Sequence, residues 1–600
     1  MHLAEYLFRR LHQLGIRSIF GCPGDFNLAS LDYIVPCGLN WVGNVNELNG
    51  GYAADGYARI RGIGAIMTTL GVGELSAINA LAGSCAEHVP VIHIVGYPST
   101  SVQEKKIPLH HTLGDGNFER FAKMSAQVSS AVVILKDKSD ATKLIDETIR
   151  ECWRSSKPVY IGFPADLVNV EIDPSPLECP LIEEPTPNIT ENEERAVGLI
   201  LDRIRAAQNP VIIVDSLAGK SYSLDSTRLF AQSSGFPCFT TPMAKGIVNE
   251  SLTNFRGLYA GEASDTNILE EVESSDLILS IGPRPTDYNS AGFKPDLSHI
   301  ETIKFERHRI QMPFQQSLGL GMSGVLEKLS NALDKERSGS ISTASTPSRQ
   351  PSGTPDVHGS ISPPSSPLKE NEDRDVIMNF EGNTVDKSQP LTQDWIWQRI
   401  SSWLEEDDII SADVGTSAFG TVWSRYPRGA VPLVQFLWSS IGYAVGAAVG
   451  AALAAREDEN QSNGTRRRRT ICLTGDGSLQ MTAQEASTMV RRKLGIIMFI
   501  VCNEGYTVER IIHGMDAEYN DIQPWDHKLM PALFGAAPNT ARTYAIRTRA
   551  ELNMLLDDPS FGPADLYDEN NPPPLRIVEL YMGKYDVPEG LLGTANSVSR

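Results

Sequence analysis

Short apolar runs recur along this chain, and each is followed by a stretch whose apolar positions return every three or four residues. Ala65–Thr69 and Val91–Val95 are nearly continuous apolar runs, which predicts strands buried on both faces. Glu47–Arg61 and Glu74–Glu87 have helical spacing. Such alternation predicts parallel βαβ units. The same style returns further on, where Val211–Val214 and Leu277–Ile281 predict strands and Glu191–Ala206 a helix. It returns again with Ile409–Ala412, Thr470–Thr474 and Ile496–Val501 as strands. Thr482-Ala-Gln-Glu485 reads as a capping box that opens a helix after the second of these. At the N-terminus, Leu3, Leu7, Leu11 and Leu14 share one stripe of an amphipathic helix.

Two passages interrupt the pattern. Asp173 to Pro187 is Pro-rich and closes the first α/β segment. Between 338 and 367, 22 of 30 residues are Ser, Thr, Pro or Gly and none is aromatic. Such a segment buries too little apolar surface to offset chain entropy, which predicts an unstructured linker. Its four Ser/Thr-Pro steps, at Thr346, Thr354, Ser362 and Ser366, suit proline-directed kinases, and equally a passive spacer. The expected layout is a first domain over 1–180, a second over 190–335, the linker over 336–388 and a third domain over 389–600. The expected fold class is α/β, with three doubly wound, mostly parallel sheets.

Length supports several domains, because 600 residues exceed one core. The net charge of −21 leaves no excess of Lys and Arg to replace counterions, which excludes nucleic acid and anionic membrane as expected partners. The basic run Arg466–Arg469 follows the acidic, polar stretch Glu457–Gly464 and reads as a solvated loop. The eight cysteines form no CxxC pair, so neither a zinc knuckle nor a disulfide framework is expected, and a reducing, cytoplasmic setting fits. No run of about 18 apolar residues exists to span a membrane. The N-terminal helix lacks the apolar stretch of a secretory leader, and Glu5 argues against a mitochondrial one.

The chemistry concentrates in the third segment. Gly475-Asp476-Gly477 follows a predicted strand directly, and a second predicted strand ends at Cys502-Asn503-Glu504-Gly505. One strand–helix–strand excursion separates Asp476 from Asn503, so both reach the same carboxyl edge of a parallel sheet, where α/β proteins bind ligands. A carboxylate, an amide oxygen and a backbone carbonyl are hard donors suited to a Mg2+ that also takes phosphate oxygens. Gly475 and Gly477 permit close approach of a phosphate. Taken alone, GDG is also simply a turn. The second segment has no GxGxxG array, so a nicotinamide site is not supported.

With these residues the chain resembles thiamine-diphosphate enzymes, whose motif is GDG followed by an Asn pair. Cys502 stands where the first Asn usually does, and Asn503 keeps the second. The likeness extends over nearly the whole chain and narrows to pyruvate decarboxylases. It is carried by PGDFN (Pro23–Asn27), NELNGGYAADGYAR (Asn46–Arg59), LHHTLG (Leu109–Gly114), GTSAFG (Gly415–Gly420), LWSSIG (Leu437–Gly442) and EGYTVERIIHG (Glu504–Gly514). The resemblance implies thiamine diphosphate and Mg2+, with Asp476, Asn503 and the Gly505 carbonyl as metal ligands. It implies diphosphate or ring contacts from Thr416, Ser439, Gly477 and Ser478, and an apolar wedge at Ile441, which bare patterning would assign to core. It implies that Glu47 promotes the imino tautomer of the cofactor's aminopyrimidine. A Glu at that place also reads as a helix cap. Asp25, His110, His111 and Glu509 match the acid–base cluster that protonates the carbon left by CO2. His110-His111 otherwise reads as a polar loop.

The resemblance further implies non-oxidative decarboxylation of a 2-oxo acid, pyruvate first, to the aldehyde and CO2. Rival readings are a decarboxylase for larger acids (phenylpyruvate, indolepyruvate, branched-chain) and a catalytically inactive regulatory homologue. It implies a cofactor held between the first domain of one chain and the third of another, hence a homodimer that assembles into a homotetramer. Val508, beside Glu509, matches a position lining the substrate pocket, and Ala418 is also small and would not close it. Together they predict turnover of acids somewhat longer than pyruvate.

Overall fold

Runs of aliphatic and β-branched residues become the inner strands of three six-stranded sheets. The computed structural model describes residues 1–182, 187–220, 222–313, 318–341, 389–462, 468–562, 573–588 and 591. Residues 342–388 of the predicted linker lie outside these, as do Arg466 and Arg467. A helix, Met322–Ile341, runs a few residues into the stretch expected to be unstructured.

The first sheet contains β1 (Ser18–Gly21), β2 (Asn40–Trp41), β3 (Gly64–Thr69), β4 (Val91–Tyr97), β5 (Ala131–Ile134) and β6 (Val159–Pro164). Their order is β2-β1-β3-β4-β6-β5, and every pairing is parallel. β3, β4 and β6 are buried along their whole length, as expected for strands covered by helices on both faces. The second sheet contains β7 (Pro210–Val214), β8 (Cys238–Thr240), β9 (Phe255–Leu258), β10 (Leu277–Ile281), β11 (Glu301–Glu306) and β12 (Arg309–Gln311). It is ordered β12-β11-β10-β7-β8-β9, with β12 antiparallel at one edge. The third contains β13 (Ile409–Ala412), β14 (Val431–Leu433), β15 (Thr470–Gly475), β16 (Ile497–Cys502), β17 (Ala541–Ile546) and β18 (Leu575–Tyr581). Its order, β14-β13-β15-β16-β18-β17, repeats that of the first sheet, and it too is all parallel.

The first and third sheets are joined by two helices, Glu47–Arg61 and Tyr443–Gln461. Their contact is made by small residues. A Cβ on Gly56 would lie 2.2 Å from the Ala447 carbonyl oxygen, and one on Gly450 would lie 1.8 Å from that of Ala53. Glycine is therefore what lets the two backbones touch. Buried polar groups pin the same seam. Asp55 accepts from Arg59 Nε (2.7 Å), the Tyr443 hydroxyl (2.6 Å) and the Ser84 hydroxyl (2.8 Å). Glu457 accepts from the hydroxyls of Ser18 (2.6 Å) and Tyr57 (2.5 Å).

Two local expectations are corrected. Arg469 is not in a solvated loop. It is 4% exposed and forms a two-pronged ion pair with Asp408 (2.8 and 2.6 Å), while also donating to the carbonyls of Gly562 and Trp403. Thr482 and Glu485 form no capping box. The Thr482 hydroxyl donates to the Gly442 carbonyl (2.7 Å), and the Glu485 carboxylate accepts from Asn44 Nδ2 (2.7 Å). In both cases a partner distant in sequence displaces the local one.

Candidate active site

Parallel strands bring their carboxyl ends to one edge, and the loops leaving that edge carry the first group of candidates. Asp25 follows β1, Glu47 opens the helix after β2, Gly71–Gly73 follow β3, and His110–His111 follow β4. Asp25 Oδ2 lies 2.6 Å from His110 Nε2, and Oδ1 lies 3.6 Å from His111 Nε2. Phe26 stacks on the His110 ring at 5.2 Å. His111 has φ +61°, and its carbonyl packs so closely on Gly71 that a Cβ there would come within 1.9 Å. One carboxylate thus gathers both imidazoles, an arrangement suited to holding and passing a proton.

The capping role at the Glu47–Arg61 helix falls to Asn46, whose Oδ1 accepts from the Asn49 N–H (2.8 Å). Glu47 is left to lie over Gly73, where a Cβ would approach its Oε1 to 3.1 Å. Partial burial pushes the Glu47 carboxyl above its ordinary pKa, against a weaker opposing backbone hydrogen bond.

The third sheet repeats this geometry. Gly415 and Thr416 follow β13, Ser439 and Ile441 follow β14, Asp476 follows β15, and Asn503 to Glu509 follow β16. Asp476 Oδ1 accepts from the Gly477 N–H (2.8 Å), and Oδ2 accepts from the N–H groups of Asn503 (3.0 Å) and Glu504 (2.8 Å). The carboxylate therefore ties the GDG turn to the end of the neighbouring strand. Burial raises its pKa, and the three N–H donors oppose that rise. Asn503 Nδ2 donates to Thr507 Oγ1 (2.6 Å), which leaves its amide oxygen as the acceptor. Gly505 has φ +129°, and a Cβ there would meet the Asn520 carbonyl oxygen at 2.1 Å. Only glycine fits. Thr416 and Ser478 sit in the first turns of short helices, Thr416–Val422 and Asp476–Thr482, and Ser439 has φ +54°. Glu509 is exposed on the helix Thr507–Ile512. Val508 faces Gly415, with 4.0 Å from its Cγ2 to where a Cβ would stand. Ala418 is instead packed in the core under the third sheet.

The structure thus gathers Asp25, His110 and His111 into one cluster and Asp476, Asn503 and Gly477 into another. Among the described residues, no hydrogen bond or ion pair joins the first cluster or Glu47 to Asp476, Asn503 or Glu509.

Several supporting residues escaped the sequence reading. Asp413, fully buried, accepts from the Gly442 N–H (2.9 Å) and the Thr474 hydroxyl (2.8 Å), fixing the loop that carries Ile441. Burial pushes its pKa up to about 6. The signal available was a charged residue directly after an apolar strand. Glu87 Oε1 accepts from the N–H groups of Leu437 (2.8 Å) and Trp438 (3.2 Å), which precede Ser439. Arg510 is buried and donates to the carbonyls of Glu504 and Asn520 (3.0 Å each), closing the loop around Gly505. Nothing local marked either one.

Comparison with known proteins agrees with this architecture. Residues 1–118 match the family described as thiamine pyrophosphate enzyme, N-terminal TPP binding domain. Residues 197–320 match its central domain and 413–557 its C-terminal TPP binding domain. The chain is 45% identical over 597 residues to a pyruvate decarboxylase of Aspergillus fumigatus, covering 100% of this chain and 97% of that protein. It is 38% identical over 594 residues to pyruvate decarboxylase isozyme 1 of Saccharomyces cerevisiae, covering 99% and 97%. The solved structure of a thiamine diphosphate-dependent 4-hydroxybenzoylformate decarboxylase from Rhodococcus jostii superposes with a TM-score of 0.70 at 18% identity, over 97% of this chain and 99% of that one. That last likeness concerns the fold alone.

Proposed function

The chain belongs to the pyruvate decarboxylase family of thiamine pyrophosphate enzymes, and from that premise we propose that it converts pyruvate to acetaldehyde and CO2 with thiamine diphosphate and Mg2+. The observation that carries the reading is the pair of carboxyl-edge clusters, one acid–base and one of hard oxygen donors, on two sheets of identical strand order.

The residues fit the cofactor. Asp476, the Asn503 amide oxygen and the Gly505 carbonyl are the donors that would hold Mg2+, with the diphosphate beside Thr416, Gly477 and Ser478. Ser439 and Ile441 would meet its rings. Thiamine diphosphate, when bound, supplies the electron sink for carbon–carbon cleavage that no side chain offers. Glu47, whose partial burial lets it hold a proton to higher pH than an ordinary glutamate, can exchange that proton with a ring nitrogen. Asp25 Oδ2 pairs with His110 Nε2, and His111 and Glu509 complete the set that delivers a proton to the product carbon. Phe26 stacks on one face of the His110 ring and helps fix its orientation.

Assembly is part of the same proposal. Val72 (53% exposed), Trp438 (40%) and Met481 (50%) are apolar side chains left open beside the two clusters. A second copy covering them would bring the first cluster of one chain to the third-sheet cluster of the other, giving a homodimer that pairs into a tetramer. All eight cysteines are unpaired, which supports a reducing, cytoplasmic setting. No helix of the described residues is long and apolar enough to cross a membrane. The test is direct: the purified chain with thiamine diphosphate, Mg2+ and pyruvate should release acetaldehyde, and chelation of the metal should stop it. Absence of aldehyde from pyruvate would refute the proposal.

A further inference from the structure

Cys502 ends β16 with its thiol turned toward two groups from elsewhere in the third domain. Its Sγ lies 3.9 Å from Nδ1 of His527. The same Nδ1 lies 3.0 Å from Oε1 of Glu579 on β18. A thiol, an imidazole nitrogen and a carboxylate oxygen therefore converge in front of one ring nitrogen, all within 4.8 Å of one another. His527 is 1% exposed, Glu579 is fully buried and Cys502 is half-buried, so this is an enclosed cluster rather than a surface accident.

The donor set selects the guest. Mg2+ and Ca2+ want oxygen throughout, whereas one sulfur, one nitrogen and one oxygen suit Zn2+ or a cation of similar softness. With bonds of about 2.3 Å to sulfur and about 2.0 Å to nitrogen and oxygen, tetrahedral ligation sets S···N near ~3.5 Å and N···O near ~3.3 Å. The observed 3.9 and 3.0 Å lie within a small side-chain adjustment of those edges. The ligands are also braced from behind, as metal ligands require. The Tyr581 hydroxyl donates to Glu579 Oε2 (3.0 Å), and the His527 backbone N–H donates to Oε1 (2.9 Å). Three protein ligands leave a fourth position for water.

We propose that Cys502, His527 and Glu579 form a second metal site, separate from the Asp476–Asn503 site and taking Zn2+. Filling it moves the His527 ring proton from Nδ1, where it faces Glu579, to Nε2, releases the thiol proton to solvent and draws Cys502 toward His527. Because Asn503 is the next residue, and is held to Asp476 through its own N–H, the occupied site acts as a brake on cofactor binding. This last step rests on the proposed function.

The experiment uses the full-length protein, stripped of metal, saturated with Mg2+ and titrated with Co2+ as a spectroscopic stand-in for zinc. One Co2+ per chain with a thiolate-to-cobalt charge-transfer band is expected, displaced by Zn2+. Both Cys502→Asn and Cys502→Ser should lose the band, and Asp476→Asn should keep it. No band, or a band that survives both Cys502 changes, overturns the site. Loss of the band in Asp476→Asn, with that variant folded, assigns the cobalt to the other site and also overturns it. Cofactor affinity, read by tryptophan quenching, should fall at least several-fold with Zn2+ in the wild type and stay constant in Cys502→Asn. An unchanged wild-type affinity removes the brake. Failure of Mg2+-dependent cofactor binding refutes the proposed function while leaving the cobalt result intact.

Discussion

Glu47 opens a helix that Asn46 already caps, so its carboxyl group is free for chemistry, and partial burial keeps it protonated to higher pH than an ordinary glutamate. Glu47→Gln should still bind cofactor but slow exchange of its C2 proton by about 10²–10⁴-fold, the usual worth of a positioned acid–base group. NMR-monitored H/D exchange at C2 is the measurement, and an unchanged rate would exclude the role. Val508 tests a finer point. It sits against Gly415, whereas Ala418 is in the core, so of the two only Val508 is placed to bear on substrate size. Val508→Ile adds one methylene, and a methylene discriminates substrates by about 10–200-fold where the fit is tight. The variant should lose kcat/KM for 2-oxobutanoate and longer acids relative to pyruvate. A constant ratio would show that this position does not set the pocket.

At the scale of elements, the seam between the Glu47–Arg61 and Tyr443–Gln461 helices depends on glycine. Gly→Ala inside a free helix stabilises by about 1 kcal/mol. At Gly450 the added Cβ would lie 1.8 Å from the Ala53 carbonyl oxygen, so the helices must separate, and overpacking costs about 1–3 kcal/mol. The expected sign of Gly450→Ala is therefore destabilising, as denaturant unfolding would report. A stabilised variant would mean the helices do not approach this closely. Glu485, which accepts from Asn44 between the first and third domains, is pushed by burial up to about 7 from 4.5. Its folded pKa is raised, so its contribution to stability is complete below 4.5 and is lost as pH rises through about 7. The loss amounts to at most about 3 kcal/mol. Glu485→Gln, which cannot ionise, should therefore gain melting temperature relative to wild type on going from acid to mildly alkaline buffer. Parallel melting curves would contradict this.

For the whole molecule, the two clusters belong to one chain but, among the described residues, no hydrogen bond or ion pair connects them, and open apolar side chains flank each. If the working site is shared between chains, Glu47→Gln and Asp476→Asn lie in different halves of it. Randomly assembled mixed dimers then contain one doubly defective and one intact site. Co-expression of the two inactive variants should restore about a quarter of wild-type turnover per chain. No restoration in verified heterodimers would place the entire site within one chain.

What the chain determined by itself were the features that local spacing encodes. Glu47–Arg61, Leu277–Ile281 and Ile409–Ala412 are present as their patterns predict, because burial on a helix stripe or on both faces of a strand leaves a periodic record. Asp476 and Asn503 were legible for a related reason: in parallel sheets each strand end returns to one edge, so residues just after apolar runs are brought near one another, whereas Glu47, Asp25, His110, His111 and Glu509 were named through the family resemblance alone. Tertiary structure alone decided the partners. Arg469 reads as part of a charged loop until Asp408, 61 residues away, pairs with it in the interior. Thr482 and Glu485 satisfy a capping pattern, yet their hydrogen bonds go to Gly442 and Asn44. Glu87, Arg510 and the Cys502–His527–Glu579 cluster left no local trace either, whereas Asp413 was marked only by its place directly after an apolar strand. A buried polar group must find a partner of matching geometry, and once the backbone is folded the nearest suitable partner is set by distance in space, to which sequence separation is no guide.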